Sequence, residues 1–239
     1  MRVLLATLAL ALLLPASAPA ANVTTMVVGK TRTLRDAKSV KLADKRRVKV
    51  GGHRCTVAGA TPLGVLAGLH LTMRLRDYGS CGRRAVDAAG LFVKRLGADR
   101  NRGRNGWVYK VGRRVGSAGA GDVAGPFGTG RRLRGGDRLL WFWCRAQASG
   151  GCQRTLEAVP DRTTAAPGET LRVTVRGYDD GGRGKPAAGA NVRLGSAIAT
   201  TGSDGVATVM VPEAGNLRLT AEPSRTVAPA AGFPRPRSS

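Results

Sequence analysis

Two short stretches of this chain place aromatic side chains two residues apart. Trp107 and Tyr109 stand in "GWVYKVG", and Trp141 and Trp143 stand in "GDRLLWFWC". Together they use all three Trp and one of the three Tyr of a 239-residue chain. On an extended segment, residues at i and i+2 share a face, so each pair presents two rings side by side. Aromatic faces suit flat rings and sugars. The surrounding Arg113, Arg114, Arg131, Arg132, Arg134 and Arg138 would attract an anion. The candidate binding residues are therefore Trp107, Tyr109, Trp141, Trp143, Arg113 and Arg134. The same spacing also serves a core. In that reading Trp107 and Tyr109 pack across a sheet on the 139–143 segment, each cross-strand pair contributing roughly 0.2–1 kcal/mol beside its burial, and the arginines form a solvated face.

Other chemistries find less support. The only histidines are His53, beside Cys55 in "GGHRC", and His70, after a short helical pattern. Neither stands in a nucleophile–base arrangement. Asp137, Asp204 and the pair Asp179-Asp180 sit next to glycines, where an aspartate's chemistry is turn formation. No paired acid and base emerges, so no enzyme is expected. "GSAGAGDVAGPFGTG" lacks the G-K-[ST] ending of a phosphate loop and reads as a connector, or as a loop gating the aromatic strands.

The four cysteines, Cys55, Cys81, Cys144 and Cys152, lack any C-x-x-C pair, which counts against a metal site. An even number in an exported chain points to disulfides. Three connectivities are open. Cys55 with Cys81 and Cys144 with Cys152 close the shortest loops and are favoured. Export itself is expected from "MRVLLATLALALLLPASAPAAN": Arg2, a short apolar run and Ala18-Pro19-Ala20 form a signal peptide over residues 1–21. Its apolar run is too short to span a bilayer, and no later stretch approaches the ~20 residues a span needs. A secreted or cell-envelope protein is expected, with no transmembrane segment once the signal is removed.

Charge divides the remainder. Residues 22–152 hold 27 Lys and Arg against 7 Asp and Glu, a balance of +20, whereas residues 153–239 balance at only +3. A basic exported module is drawn to anionic surfaces, such as an envelope polymer or a small anion. Nucleic acid is not expected, since no binding signature accompanies the charge. Genome composition offers a plainer source for the arginines, because only 8 of the 39 basic residues are Lys and the chain is rich in Ala, Gly, Arg and Pro.

The elements that must position the aromatics are strands. Alternation marks the segments near Val48, Val50 and Val57, then "LTMRLRDYG", "GLFVKRLG" and "GWVYKVG". "DRLLWFWC" is apolar on both faces, as a central strand is. Thr61 and Pro62 open a short helix over "TPLGVLAGL". After residue 152, five to seven short strands alternate with turn signals such as Ala166-Pro167-Gly168 and Asp204-Gly205, which predicts a small antiparallel sandwich over 153–226. Residues 227–239 read as a disordered tail.

On "GWVYKVGRRVGSAGAGD" and "LRGGDRLLWFWC", carried by Gly106, Trp107, Tyr109, Val111, Gly136, Asp137, Leu139, Trp141 and Trp143, residues 22–152 resemble the DUF4430 family. That family is the bacterial relative of the C-terminal domain of transcobalamin and intrinsic factor, and "ATPLGVLAGL" resembles its T-x-L-x-A-L helix. The resemblance implies a β-grasp-like domain. In the vitamin carriers the corresponding domain covers bound cobalamin, alongside a large helical domain that nothing here supplies. No cofactor is expected from the residues, and cobalamin enters by resemblance alone. "GKPAAGANVRLG" and "TTGSDGVATVMVPEAGNLRLTAEP" resemble bacterial Ig-like or carboxypeptidase-regulatory-like modules, which imply a spacer or adhesion unit. The expectation is an α+β, mainly β, non-enzymatic protein that binds a small or anionic ligand through its first domain. The alternative is a structural or adhesive surface protein whose Ig-like module makes the contact.

Overall fold

The computed structural model describes residues 21–223. The expected tail 227–239 lies outside the described residues, as does the expected leader 1–21 apart from Ala21. The fold is mainly β, with two short helical pieces.

The first half contains β1 (Asn22–Val28), β2 (Thr33–Lys41), β3 (Lys45–Val50), β4 (His53–Ala58), α1 (Pro62–Ala67), β5 (Met73–Asp77), a 3-10 turn (Ala85–Gly90), β6 (Leu91–Leu96), β7 (Asp99–Arg100), β8 (Gly106–Val111), β9 (Arg114–Val115) and β10 (Arg138–Cys144). Five strands make one sheet in the order β2-β1-β10-β8-β9. β1 and β10 run parallel at its centre, and their other neighbours pair antiparallel. An outer hairpin, a central parallel pair and a helix on one face make the β-grasp arrangement.

The alternation of β1 explains its central place. Val23 and Val27 face the main core with Leu139, Trp141 and Trp143, while Met26 and Val28 face the other side with Leu140, Phe142 and Cys144. α1 lays Leu63, Val65 and Leu66 on the first of these faces. Thr61 caps it by accepting from the Gly64 N–H at 3.1 Å. Gly64 lowers helix propensity, but a Cβ there would stand 2.1 Å from the Ala58 carbonyl. Close packing, not chain flexibility, dictates this glycine. β3 and β4 form a separate hairpin, and β5, β6 and β7 a three-stranded sheet, both packed around the same core.

The second half contains β11 (Thr155–Pro160), β12 (Thr170–Tyr178), β13 (Gly184–Pro186), β14 (Asn191–Leu194), β15 (Ala197–Thr200), β16 (Val206–Met210) and β17 (Leu219–Glu222). β12 joins β11 on one side and β13 and β16 on the other, and a second sheet runs β15-β14-β17. Every pairing is antiparallel. The facing residues, including Val173, Val175, Val192, Val209 and Ala221, close a core separate from that of the first half. The segment "ANVRLGSAIATT" folds back on itself at Gly195, whose φ of 56° is left-handed, and so supplies two strands.

Both disulfides form as the short-loop reading expects, Cys55–Cys81 and Cys144–Cys152. Among the described residues no helix is long and apolar enough to cross a membrane.

Candidate functional site

β8 and β10 pair antiparallel, with Trp107 opposite Trp143 and Tyr109 opposite Trp141. The rings meet in both pairs: Trp107 and Trp143 edge to face at 5.8 Å, Tyr109 and Trp141 tilted at 5.3 Å. All four side chains are buried, Trp141 to 1% exposure. They are core residues first, and three of them also wall a cleft.

That cleft encloses about 410 Å³. Trp107, Tyr109 and Trp141 form its floor; Tyr78 and Phe92, from the β5–β6 region, form one side. The glycine-dense loop closes the other side with Gly116, Ala118, Gly119 and Ala120. The loop lies close because its glycines permit it: a Cβ on Gly116 would stand 2.0 Å from the Tyr109 ring, and one on Gly119 2.3 Å from the Ala89 carbonyl. Tyr78 and Phe92 are among the few large apolar side chains left exposed, and their rings meet edge to face at 6.0 Å. The Arg76 guanidinium stacks 4.6 Å from the Tyr78 centroid, and no carboxylate pairs with it among the described residues.

The polar atoms of the floor differ. Trp107 Nε1 donates to the Asp99 carbonyl at 2.9 Å, and the Tyr109 hydroxyl lies 2.7 Å from the Ala118 carbonyl and 3.1 Å from that of Pro126. Burial, aided by the charge of Asp122, pushes this phenol up to about 12, so it holds its proton at neutral pH. Trp141 Nε1 has no partner among the described residues. A buried donor without an acceptor is costly, about 1–3 kcal/mol, and this one belongs to a residue lining an open cleft. The lining supplies no nucleophile–base pair. What the arrangement can do is hold an apolar ring; its one unpaired donor, Trp141 Nε1, is itself buried.

The two arginines expected beside these aromatics stand elsewhere. Arg113 pairs with Glu157 at 2.8 Å and stacks over the Tyr178 ring at 4.3 Å, both in the second half of the chain. Arg134 is exposed, and its backbone N–H donates to Asp137, which makes a turn there. Neither lines the aromatic cleft. For Arg113 the reason lies in the strand path: it stands with Gly112, φ 59°, in the tight turn between β8 and β9, which carries it towards Glu157 and Tyr178 of the sandwich.

That sandwich is bonded tightly to the first half. Lys110, fully buried, donates to Thr155 Oγ1, Tyr178 O and Asp179 O at 3.0, 3.0 and 2.9 Å, one acceptor for each ammonium proton. Burial pushes the amine down to about 8, although Asp180 and Asp179 pull the other way. Glu157 receives both Arg113 and Arg138. Burial favours its neutral form, but those two guanidinium groups outweigh burial and hold the carboxyl below its ordinary value. Gln153 accepts from Arg145 N–H and donates to Trp143 O. Asp180 accepts from Cys152 N–H through its side chain and from Val115 N–H through its carbonyl.

Of the histidines, His53 lies 3.6 Å from Cys81 Sγ. It forms with Cys55 and Cys81 the one His/Cys/carboxylate grouping of ligand-like spacing among the described residues, but the two sulfurs are bonded to each other. His70, φ 54°, takes the left-handed conformation in the turn that follows α1. Sequence reasoning missed Tyr78 and Phe92. Their signal was present: an aromatic at an outward strand position in "LRDYG" and another in "GLFVK".

Compared with protein-family models, curated proteins and solved structures, the chain matches none.

Proposed function

We propose that this is an exported, non-catalytic binding protein whose first module takes a small, largely apolar ring compound in the Trp107–Tyr109–Trp141 cleft. The observation that carries the reading is the Trp141 indole N–H, buried without an acceptor in the wall of a cleft otherwise lined by aromatic and apolar groups. A ligand carbonyl, ether or carboxylate oxygen would satisfy that donor once the lining shifts enough to uncover the nitrogen, which is itself buried. Arg76, stacked on Tyr78 at the side, favours a ligand with a negative end. The volume lies within the 300–1,000 Å³ range of small-molecule sites. The likeness to the DUF4430 family supports the reading, because the two segments that carry it are β8 and β10, which form the cleft floor. The leader-like N-terminus and the two disulfides support export. The sandwich then acts as a spacer or contact module, docked on the back of the binding module.

A titration of 1-naphthoate, a flat ring bearing a carboxylate, followed by tryptophan fluorescence, tests the proposal. One saturable site is expected, weakened at least tenfold in Trp141→Phe and in Tyr78→Ala. A corrinoid serves as a second arm for the cobalamin that the resemblance implies. Binding of naphthoate that both variants leave intact, or no binding of either compound, would overturn the assignment.

A further inference from the structure

The β3–β4 hairpin has two unlike faces. In register, Arg47 stands opposite Thr56 and Lys49 opposite Arg54, and Lys45 shares their face two residues before Arg47. The opposite face carries Val48, Val50, Cys55 and Val57 into the core. Lys45, Arg47, Lys49 and Arg54 are all exposed. Thr56 N–H donates to the Gly82 carbonyl at 2.8 Å, and the Cys55–Cys81 disulfide pins the same segment, so Arg83 is carried to the rim of this face. Arg46 joins from the other side of the strand: one guanidinium nitrogen donates to the Lys41 carbonyl at 3.1 Å, while its buried Nε has no partner among the described residues. Lys45, Arg46, Arg47, Arg54, Thr56 and Arg83 together line a hollow of about 620 Å³.

Among the described residues no carboxylate pairs with any of these cations. Arginines elsewhere do find partners: Arg84 with Asp87, Arg162 with Glu169, Arg218 with Asp36. Like charges placed directly across a hairpin, as Lys49 and Arg54 are, destabilise it. A hollow that concentrates unneutralised cations is built for an anion.

We propose that this hollow binds a flexible, phosphate-bearing polyanion that carries no bases. Several phosphates are needed to match five cations, which favours a chain over a single ion. The hollow is concave, which a strand of polymer can enter and a flat bilayer cannot. None of its lining residues is aromatic, so it lacks the stacking platforms on which single-stranded nucleic acid depends. This site is separate from the aromatic cleft and does not rest on the function proposed for it.

Inorganic polyphosphate of about ten units is the probe. Binding to the full mature chain is measured by fluorescence anisotropy at several salt concentrations, beside a single-stranded oligonucleotide of equal charge and vesicles rich in phosphatidylglycerol. Polyphosphate is expected to bind best, and its affinity to fall steeply with salt through counterion release, with a log–log slope of about −3 for four to five neutralised phosphates. The double reversal Arg47→Glu/Arg54→Glu should weaken it at least thirtyfold. The milder Arg47→Gln/Arg54→Gln should weaken it about tenfold, which guards against a folding defect in the first variant. Arg172→Glu/Arg193→Glu, at exposed strand positions of the second module, changes net charge equally away from the hairpin and should have less than a threefold effect. Equal losses in the hairpin and distant variants would show that net charge alone attracts the polymer. Tighter binding of the oligonucleotide or the vesicles would overturn the choice of partner.

Discussion

The ammonium of Lys110 donates to the hydroxyl of Thr155 at 3.0 Å, and so ties a strand of the first core to the opening strand of the second. No carboxylate oxygen lies among the three atoms Lys110 contacts; a hydroxyl and two carbonyls take its protons. Replacing it with Met keeps the length and leaves those acceptors unpaired. Hydrogen bonds from a charged donor contribute roughly 1.5–3 kcal/mol each, offset here by the relief of burying a charge. Lys110→Met is expected to destabilise by about 2 kcal/mol at pH 7 and to expose the 145–154 connection to proteases. Chemical unfolding and limited proteolysis measure both effects, and a variant as stable and resistant as the parent would deny the lysine this latching role.

The same lysine sets a pH dependence. Its folded-state value is about 8, whereas an unfolded lysine holds its proton to about 10.4. Between those values the unfolded chain binds a proton that the folded chain lacks, so stability rises with pH across that window; below about 8 both states are protonated and the contribution is flat. Tyr109 acts in the opposite sense. Its folded value is about 12 against roughly 10 unfolded, so the folded state keeps a proton that the unfolded state loses, and stability falls above pH 10. The urea midpoint is expected to climb from pH 8 to 10 and then to drop. Lys110→Met should lose the climb, and Tyr109→Phe should soften the drop. A midpoint that falls steadily from pH 8 in the parent would contradict the burial of Lys110.

Glu157 gathers Arg113 and Arg138 at the same junction, with side-chain exposures of 54% for Arg113 and 31% for Arg138. Solvent screening keeps such pairs near 1 kcal/mol. Because its folded value is depressed, the contribution is present above the ordinary carboxylate range and is lost as pH falls through the folded value. Glu157→Gln is expected to cost about 1 kcal/mol at pH 7 and nothing further at pH 2. Equal losses at both pH values would mean that shape, not charge, governs this contact.

Much of this architecture was written in the sequence, and what was hidden has physical causes. β10 showed its central place because "LLWFWC" is apolar on both faces, and the structure covers both, one with α1 and one with the smaller cluster around Phe142. Thr61 and Pro62 marked α1 because capping is local. Lys110 gave no sign. A lysine between two apolar residues reads as solvent-facing, and only the docking of residues 155–180 buries it. Arg113 misled in the converse way: its closeness to Trp107 in sequence says nothing of direction once Gly112 turns the chain. The cleft's second wall, Tyr78 and Phe92, depends on how one sheet packs beside another, which strand periodicity does not encode.

The two disulfides should differ in what they contribute. Cys55–Cys81 spans 26 residues and Cys144–Cys152 spans 8. Loop-closure entropy gives about 3.5 kcal/mol for the first and about 2.5 kcal/mol for the second. Paired replacement by Ser is therefore expected to lower stability more at 55/81. The 55/81 variant should also weaken polyphosphate binding, since that bridge fastens the segment bearing Arg83. Ellman titration confirms the parent's bonding, and unfolding curves rank the variants; a larger loss at 144/152 would count against the entropic ordering.

Trp107 and Trp141 allow a matched comparison, because both are buried and both lose the same ring volume on change to Phe. Trp107→Phe also removes the bond from Nε1 to the Asp99 carbonyl, whereas Trp141→Phe removes a donor that has no partner among the described residues. The cavity terms are alike, so the difference isolates the two N–H groups. Trp107→Phe is expected to be the more destabilising by about 1–2 kcal/mol in the absence of ligand. With saturating naphthoate present the gap should narrow or reverse, because only the Trp141 N–H gains an acceptor from the ligand. Paired urea melts with and without naphthoate read both quantities. A gap that stays fixed in the presence of ligand would mean that the indole N–H of Trp141 plays no part in recognition.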